Sequence, residues 1–135
     1  MKIRFSIALL CIVSVIACKG GAIGETPIKT TKAGDMTVTL ASRGGELKSG
    51  ETELFIAFTD AAGNPVDVGA ASLVFHMAGM GTMPEMNDKA QLTTTETPGR
   101  YRAQANIQMS GTWEAQVAYQ GSQGTGQATM TVSVK

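Results

Sequence analysis

The sequence predicts an all-β fold made of two packed sheets, and three observations predict it. From Asp35 onward apolar and polar residues alternate with period two, the mark of half-buried strands. Gly-, Pro- and Asn-bearing turns break that alternation into short runs. No stretch of the mature chain carries a convincing 3.6-residue apolar stripe, so no amphipathic helix is expected. At 135 residues the chain has room for one domain, with a core large enough to fold without staples.

Each element follows in order. Met36, Val38 and Leu40 alternate with Thr37 and Thr39 to give a first strand. In "ELFIAFT" (53–59) both parities are apolar, which places this strand centrally, and "DAAGNPV" (60–66) is a loop. "ASLVFHM" puts Leu73, Phe75 and Met77 on one face and Val74 and His76 on the other. "AQLTTTE" (90–96) is a polar, Thr-rich strand closed by the turn "TPGR". Tyr101, Ala103, Ala105 and Ile107 then point inward, with Tyr101 in the place of a corner tyrosine just after the turn. Trp113, Ala115, Val117 and Tyr119 repeat the pattern, "GSQGTG" turns the chain, and Ala128, Met130, Val132 and Val134 complete it. Seven such runs in about 100 residues predict an immunoglobulin-like β-sandwich of about seven strands over residues 35–135.

Residues 1–17 stand apart from this pattern. Lys2 and Arg4 precede an apolar run too short for a comfortable membrane span, ending in Val15, Ile16, Ala17 and Cys18. The segment resembles a lipoprotein signal peptide, cut before Cys18, whose sulfur then carries a diacylglycerol. Lys19 after the cysteine points by that resemblance to the outer membrane, with the domain facing the periplasm. Residues 18–34 lack apolar periodicity and read as a lipidated cysteine and flexible tether, with a reach on the order of 50 Å at about 3.3–3.6 Å per residue. Loss of residues 1–17 leaves nine basic and eleven acidic groups and no free thiol. That balance offers no field for nucleic acid, and lipidation of Cys18 by that resemblance excludes Cys-based catalysis and thiolate metal binding.

The segment "HMAGMGTMPEM" (76–86) holds four of the chain's eight methionines, at positions 77, 80, 83 and 86, directly after its one histidine. A three-residue period fits no strand, and Gly79, Gly81 and Pro84 oppose a helix, so Ala78–Asp88 reads as a loop. Exposed thioethers gain little from such a place unless they bind something. Thioethers select soft monovalent metals, Cu(I) above all and Ag(I) similarly, and imidazole suits copper as well. The candidate ligands are Met80 and Met83, then His76 and Met86, with Met109 from a neighbouring turn. Gap-filling is the other common use of methionine and stands beside this reading. Met77 follows the core parity of Leu73 and Phe75 and is assigned to packing; for Met109, on the inward parity of Tyr101 to Ile107, both readings stand.

These residues also carry a resemblance. Met77, Met80, Met83 and Pro84, then Gly99, Arg100 and Tyr101, then Met109, Gly111 and Trp113, occur in the order of the motifs of the YtkA-like domain family. The resemblance implies a small extracytoplasmic β-sandwich, often a lipoprotein, of a kind found beside heavy-metal efflux and copper-enzyme assembly systems. A component of such a system is the implied partner, beside the membrane itself.

Enzymatic activity is not expected. There is one histidine, Ser110 has no base beside it, and "GSQGTG" lacks the lysine of a phosphate loop. A zinc site would have to draw on Glu85 and Asp88, a weak set. Two functions remain: soft-metal binding through the methionine segment, or an accessory module that uses the same segment as an apolar docking surface.

Overall fold

The computed structural model describes residues 25–122 and 124–135. They form nine strands: β1 (Thr26–Ala33), β2 (Met36–Ser42), β3 (Gly50–Thr59), β4 (Ala70–Met77), β5 (Met86–Lys89), β6 (Gln91–Thr94), β7 (Arg100–Ile107), β8 (Gly111–Gly121) and β9 (Gly124–Val134). Two sheets, β1-β2-β3-β7-β6 and β5-β4-β8-β9, pack face to face. Every pairing between these strands is antiparallel. The fold is the expected all-β, immunoglobulin-like sandwich, and β3 is the middle strand of its sheet.

Strand parity builds the core. Leu54, Ile56 and Phe58 of β3 face Leu73 and Phe75 of β4 and Trp113, Ala115 and Val117 of β8, all buried. Burying apolar area at about 25 cal/mol per Å² drives this assembly, and no buried side-chain polar atom is left unpaired among the described residues. Phe58 meets Tyr101 and Tyr119 edge to face, with centroids 5.8 Å and 5.6 Å away.

Two of the sequence motifs have a mechanical basis here. Gly99 has φ +77°, and a Cβ on it would lie 2.0 Å from the carbonyl oxygen of Val66, so only glycine fits. Two residues on, the Tyr101 hydroxyl donates to the Gly69 carbonyl at 2.6 Å. That bond reaches 32 residues back, so Tyr101 ties β7 to the connection that leads into β4 and is not a local corner. Burial, with the nearby charge of Asp67, raises the Tyr101 phenol above its ordinary pKa and keeps it a donor.

The strand count and one boundary differ from expectation. Residues 26–33, read as tether, form β1 and pair along β2 from Thr26↔Ser42 to Ala33↔Met36. β1 is an edge strand held by its backbone ladder; Ala33 alone in it is fully buried, so it has no apolar stripe to read. A register shift between Pro27 and Lys29 accommodates the proline. The second extra strand, β5, lies where a loop was expected and pairs with β4 from Val74↔Lys89 to Met77↔Met86. The domain therefore begins by Thr26, not at residue 35. The segment expected to be a signal peptide (1–17), Cys18 and the rest of the expected tether up to residue 24 lie outside the described residues.

Candidate metal centre

The three-residue spacing of the methionines is resolved by a hairpin. Met80 and Met83 exchange both backbone hydrogen bonds, Met80 N–H to Met83 C=O at 3.1 Å and Met83 N–H to Met80 C=O at 2.9 Å. Gly81 and Thr82 form the two-residue turn between them. Gly81 has φ +59° and Thr82, like every non-glycine residue among those described, has none above zero, which is the type II′ turn with glycine in its first central place. Three residues outward on each side, Met77 stands opposite Met86. The spacing is thus the signature of two facing pairs, centred on one turn. Directly opposed residues share a sheet face, so each pair presents its two thioethers together.

Between the pairs the ladder is interrupted. A Cβ at Gly79 would approach the Met83 carbonyl at 3.1 Å and the Glu85 nitrogen at 3.2 Å, and Pro84 lacks an N–H to continue the pairing. Across this break the Met80–Met83 pair and the Met77–Met86 pair come to line one apolar cleft of about 340 Å³ with Met109. Five methionines from the hairpin and the β7–β8 turn therefore converge at one end of the sandwich.

They form two tiers. Met77, Met86 and Met109 are half-buried and packed against the core. Met80 is 72% exposed and Met83 44%, the exposed large hydrophobic side chains among the described residues.

The turn that brings Met109 is fastened from two sides. Trp113 Nε1 donates to the Met109 carbonyl at 3.0 Å. Asp88 accepts from the Gln108 backbone N–H at 3.0 Å and from its side-chain amide at 2.8 Å, tying the turn to β5. Gly111, at φ +138°, leaves room for Met77, whose terminal methyl would lie 3.1 Å from a Cβ there. The Met-x-Gly-x-Trp motif shapes this side of the cleft: Met109 lines it, Gly111 gives clearance and Trp113 anchors the turn.

His76 is not brought into this cleft. It lies on the face of β4 opposite Met77, half-buried, and its Nδ1 is 2.9 Å from the Asn87 side-chain oxygen. Since that oxygen accepts, Nδ1 is the donor. Glu85, 3.7 Å from the same nitrogen, bonds the Asn87 amide at 3.0 Å. The structure gathers Met80, Met83, Met86 and Met109, adds Met77, which had been assigned to packing alone, and leaves His76 outside. The strand alternation already held that information, since adjacent residues point to opposite faces.

Among the described residues no three His, Cys, Asp or Glu side chains converge. Asp88 is occupied with Gln108 and Glu85 with Asn87, so the weak zinc set is not assembled. A larger groove of about 870 Å³ crosses the outer face of the five-stranded sheet. Its arginines are engaged, Arg43 with Glu53 at 3.6 Å and Arg100 with Glu25, while Arg100 and Arg102 cover Phe55 at 5.2 Å and 5.9 Å. The cleft thus offers five thioethers beside the hydroxyls of Ser110 and Thr112, and no imidazole, thiolate or carboxylate; thioethers fit a soft monovalent ion.

Among solved structures, "as isolated" FetP of uropathogenic E. coli strain F11 aligns with TM-score 0.48 and 12% identity, over 82% of this chain and 96% of that one. A copper-bound variant of the same E. coli protein aligns with TM-score 0.43 and 12% identity, over 81% and 95%. No curated protein sequence gives a significant match. The YtkA-like family profile matches residues 30–118, a span that takes in part of β1, the methionine hairpin, the Gly-Arg-Tyr turn and the anchor of Met109. On that match the chain belongs to the YtkA-like family.

Proposed function

We propose that this protein binds Cu(I), or the chemically similar Ag(I), in the methionine cleft, and that lipid on Cys18 holds it in the cell envelope, facing the periplasm. The observation that carries the reading is the convergence of Met77, Met80, Met83, Met86 and Met109 on one cleft. Met80 and Met83 are the first ligands by exposure and pairing, with Met86, Met109 and Met77 behind them. Thioethers carry no proton to lose, so the set accepts the ion without acid–base chemistry. The protein then serves metal handling or efflux, with a component of an efflux or copper-enzyme assembly system as its partner.

A competition titration against a chromophoric Cu(I) chelator tests this. The wild type should outcompete a Met80→Leu, Met83→Leu variant, because leucine keeps the bulk and removes the sulfur. Equal competition by the two proteins refutes the site. The exposure of Met80 and Met83 also suits a second reading, an apolar docking surface for a partner protein. On that reading the leucine variant retains full function and the wild type takes up no Cu(I). Attachment is tested separately: a labelled fatty acid should mark the wild type and not Cys18→Ser, and equal labelling would refute the anchor.

A further inference from the structure

We infer that Met80 and Met83 are a paired oxidation site, whose conversion to sulfoxides closes the cleft to soft metals. The first half of this inference rests on geometry alone; the metal half rests on the function proposed above. Thioether oxidation requires an oxidant to reach the sulfur, and the cleft grades that access sharply. Met80 is 72% exposed and Met83 44%, the inner three methionines are half-buried against the core, and Met130 is 3% exposed. The type II′ turn holds the outer two directly opposite each other, so one encounter surface presents both sulfurs.

The oxidant is a hydroperoxide. The sulfur lone pair attacks the terminal peroxide oxygen, the O–O bond breaks and an S–O bond forms. Sulfur gives up two electrons, and the hydroperoxide leaves as the alcohol, or as water when hydrogen peroxide is the oxidant. The product is polar and chiral. It no longer offers an apolar, soft sulfur donor, so the outer pair is lost from the ligand set while the inner tier and the core remain reduced. Two thiols can reverse the step through a sulfoxide reductase, releasing water and leaving a disulfide.

The consequence is a metal site that fails before the fold does. Both outer side chains stand clear of the core, so their oxidation leaves no polar group buried within it. A metal bound to the same lone pairs protects them. Bound metal and oxidation therefore exclude each other at Met80 and Met83.

The test treats the mature protein extracted from cells with a small excess of hydrogen peroxide and follows each methionine by peptide mass spectrometry. Ag(I) is the probe metal, since it does not cycle between oxidation states with peroxide. Met80 and Met83 should oxidise several-fold faster than Met77, Met86 and Met109, with Met130 last. Preloaded Ag(I) should slow the outer two selectively. A Met80→Gln, Met83→Gln variant, whose side-chain carbonyl imitates the polarity of a sulfoxide, should bind Ag(I) as poorly as the oxidised wild type, with an unchanged circular dichroism spectrum. If the order holds but Ag(I) gives no protection, the oxidation site stands and the metal-binding reading falls. If the inner methionines oxidise as fast as the outer pair, the proposed site itself is overturned.

Discussion

Met130 and Met80 are the same residue put to opposite uses. Met130, on β9 opposite Ala115, is 3% exposed and fills the gap between the sheets. Met80, at the tip of the β4–β5 hairpin, is 72% exposed and touches the core not at all. The sandwich does not depend on the hairpin tip: its interior is apolar, its buried side-chain polar atoms are paired among the described residues, and Tyr101 ties β7 to the residue before β4. The hairpin tip, Met80 to Met83, adds sulfur to the surface and little to the core. Stability and the proposed binding therefore rest largely on different residues, and most of each should be breakable without the other.

The largest effect should come from the residue that serves both regions. Trp113 is fully buried and also fixes the Met109 carbonyl. Truncating a buried tryptophan to alanine costs about 3–5 kcal/mol, a large share of the roughly 5–15 kcal/mol that holds a small domain together. Trp113→Ala should show a strongly lowered urea midpoint and weakened Cu(I) binding in its folded fraction. A midpoint close to wild type would mean that the anchor of the Met109 turn is not part of the core.

Two glycines divide the regions next. Gly99→Ala must leave φ +77° and displace the Val66 carbonyl, 2.0 Å from the new Cβ. The backbone conformation alone costs about 1–3 kcal/mol, and the displaced strand connection adds to it. Gly81→Ala faces open space and bears only the backbone cost at φ +59°. Thermal melts should rank Gly99→Ala well below Gly81→Ala. Cu(I) titration should reverse the ranking, because Gly81 shapes the turn that pairs Met80 with Met83. The same order in both assays would dissolve the distinction between core and rim.

How much of this was legible in the sequence follows from what stabilises each part. Strands β2, β4 and β7 to β9 sit over the core, so burial writes their period-two pattern into the residues; β3 is apolar on both parities, and β6, with only Leu92 half-buried, shows by its threonines. β1 is held at an edge by backbone pairing, which selects no apolar stripe, and so "TPIKTTKA" reads as tether. β5 is short, and the proline before it hides its start. The methionine hairpin was legible in principle: in "MGTM" a glycine holds the first of two central places, the mark of a type II′ turn. Reading the spacing as a helix-or-strand choice hid the pairing. His76 was the opposite case, where nearness in sequence outweighed the alternation that set it on the other face.

That placement makes a smaller prediction. An imidazole must shed its proton before it binds a metal, whereas a thioether has none to shed. With His76 outside the cleft, Cu(I) affinity should be flat between pH 8 and pH 5, and His76→Gln should leave it unchanged. Removing the imidazole gives up one surface hydrogen bond to Asn87, worth about 0.5–1.5 kcal/mol. An affinity that falls with pH in the wild type and not in the variant would restore His76 to the ligand set.

The smallest effect concerns acid. The Lys135 ammonium, by hydrogen bond and charge, holds the Glu46 carboxyl below its ordinary 4.5. Asp60 is held below 3.8, chiefly by the Asn64 backbone N–H and then that of Ala62. Both folded pKa values lie below their unfolded ones, so the stability these groups contribute is fully present above pH 4.5 and lost as pH falls through the lowered values. Both carboxylates are exposed, so solvent screening keeps the contribution small. The melting temperature should be level from pH 8 to about pH 5 and decline in stronger acid, with a shallower decline in a Glu46→Gln, Asp60→Asn variant. Neither carboxylate lines the methionine cleft. Ag(I) should therefore raise the melting temperature by a constant amount along the whole curve. A metal-induced shift that shrinks in step with the acid decline would show that the rim and the sandwich share a titrating group, and would end the separation between them.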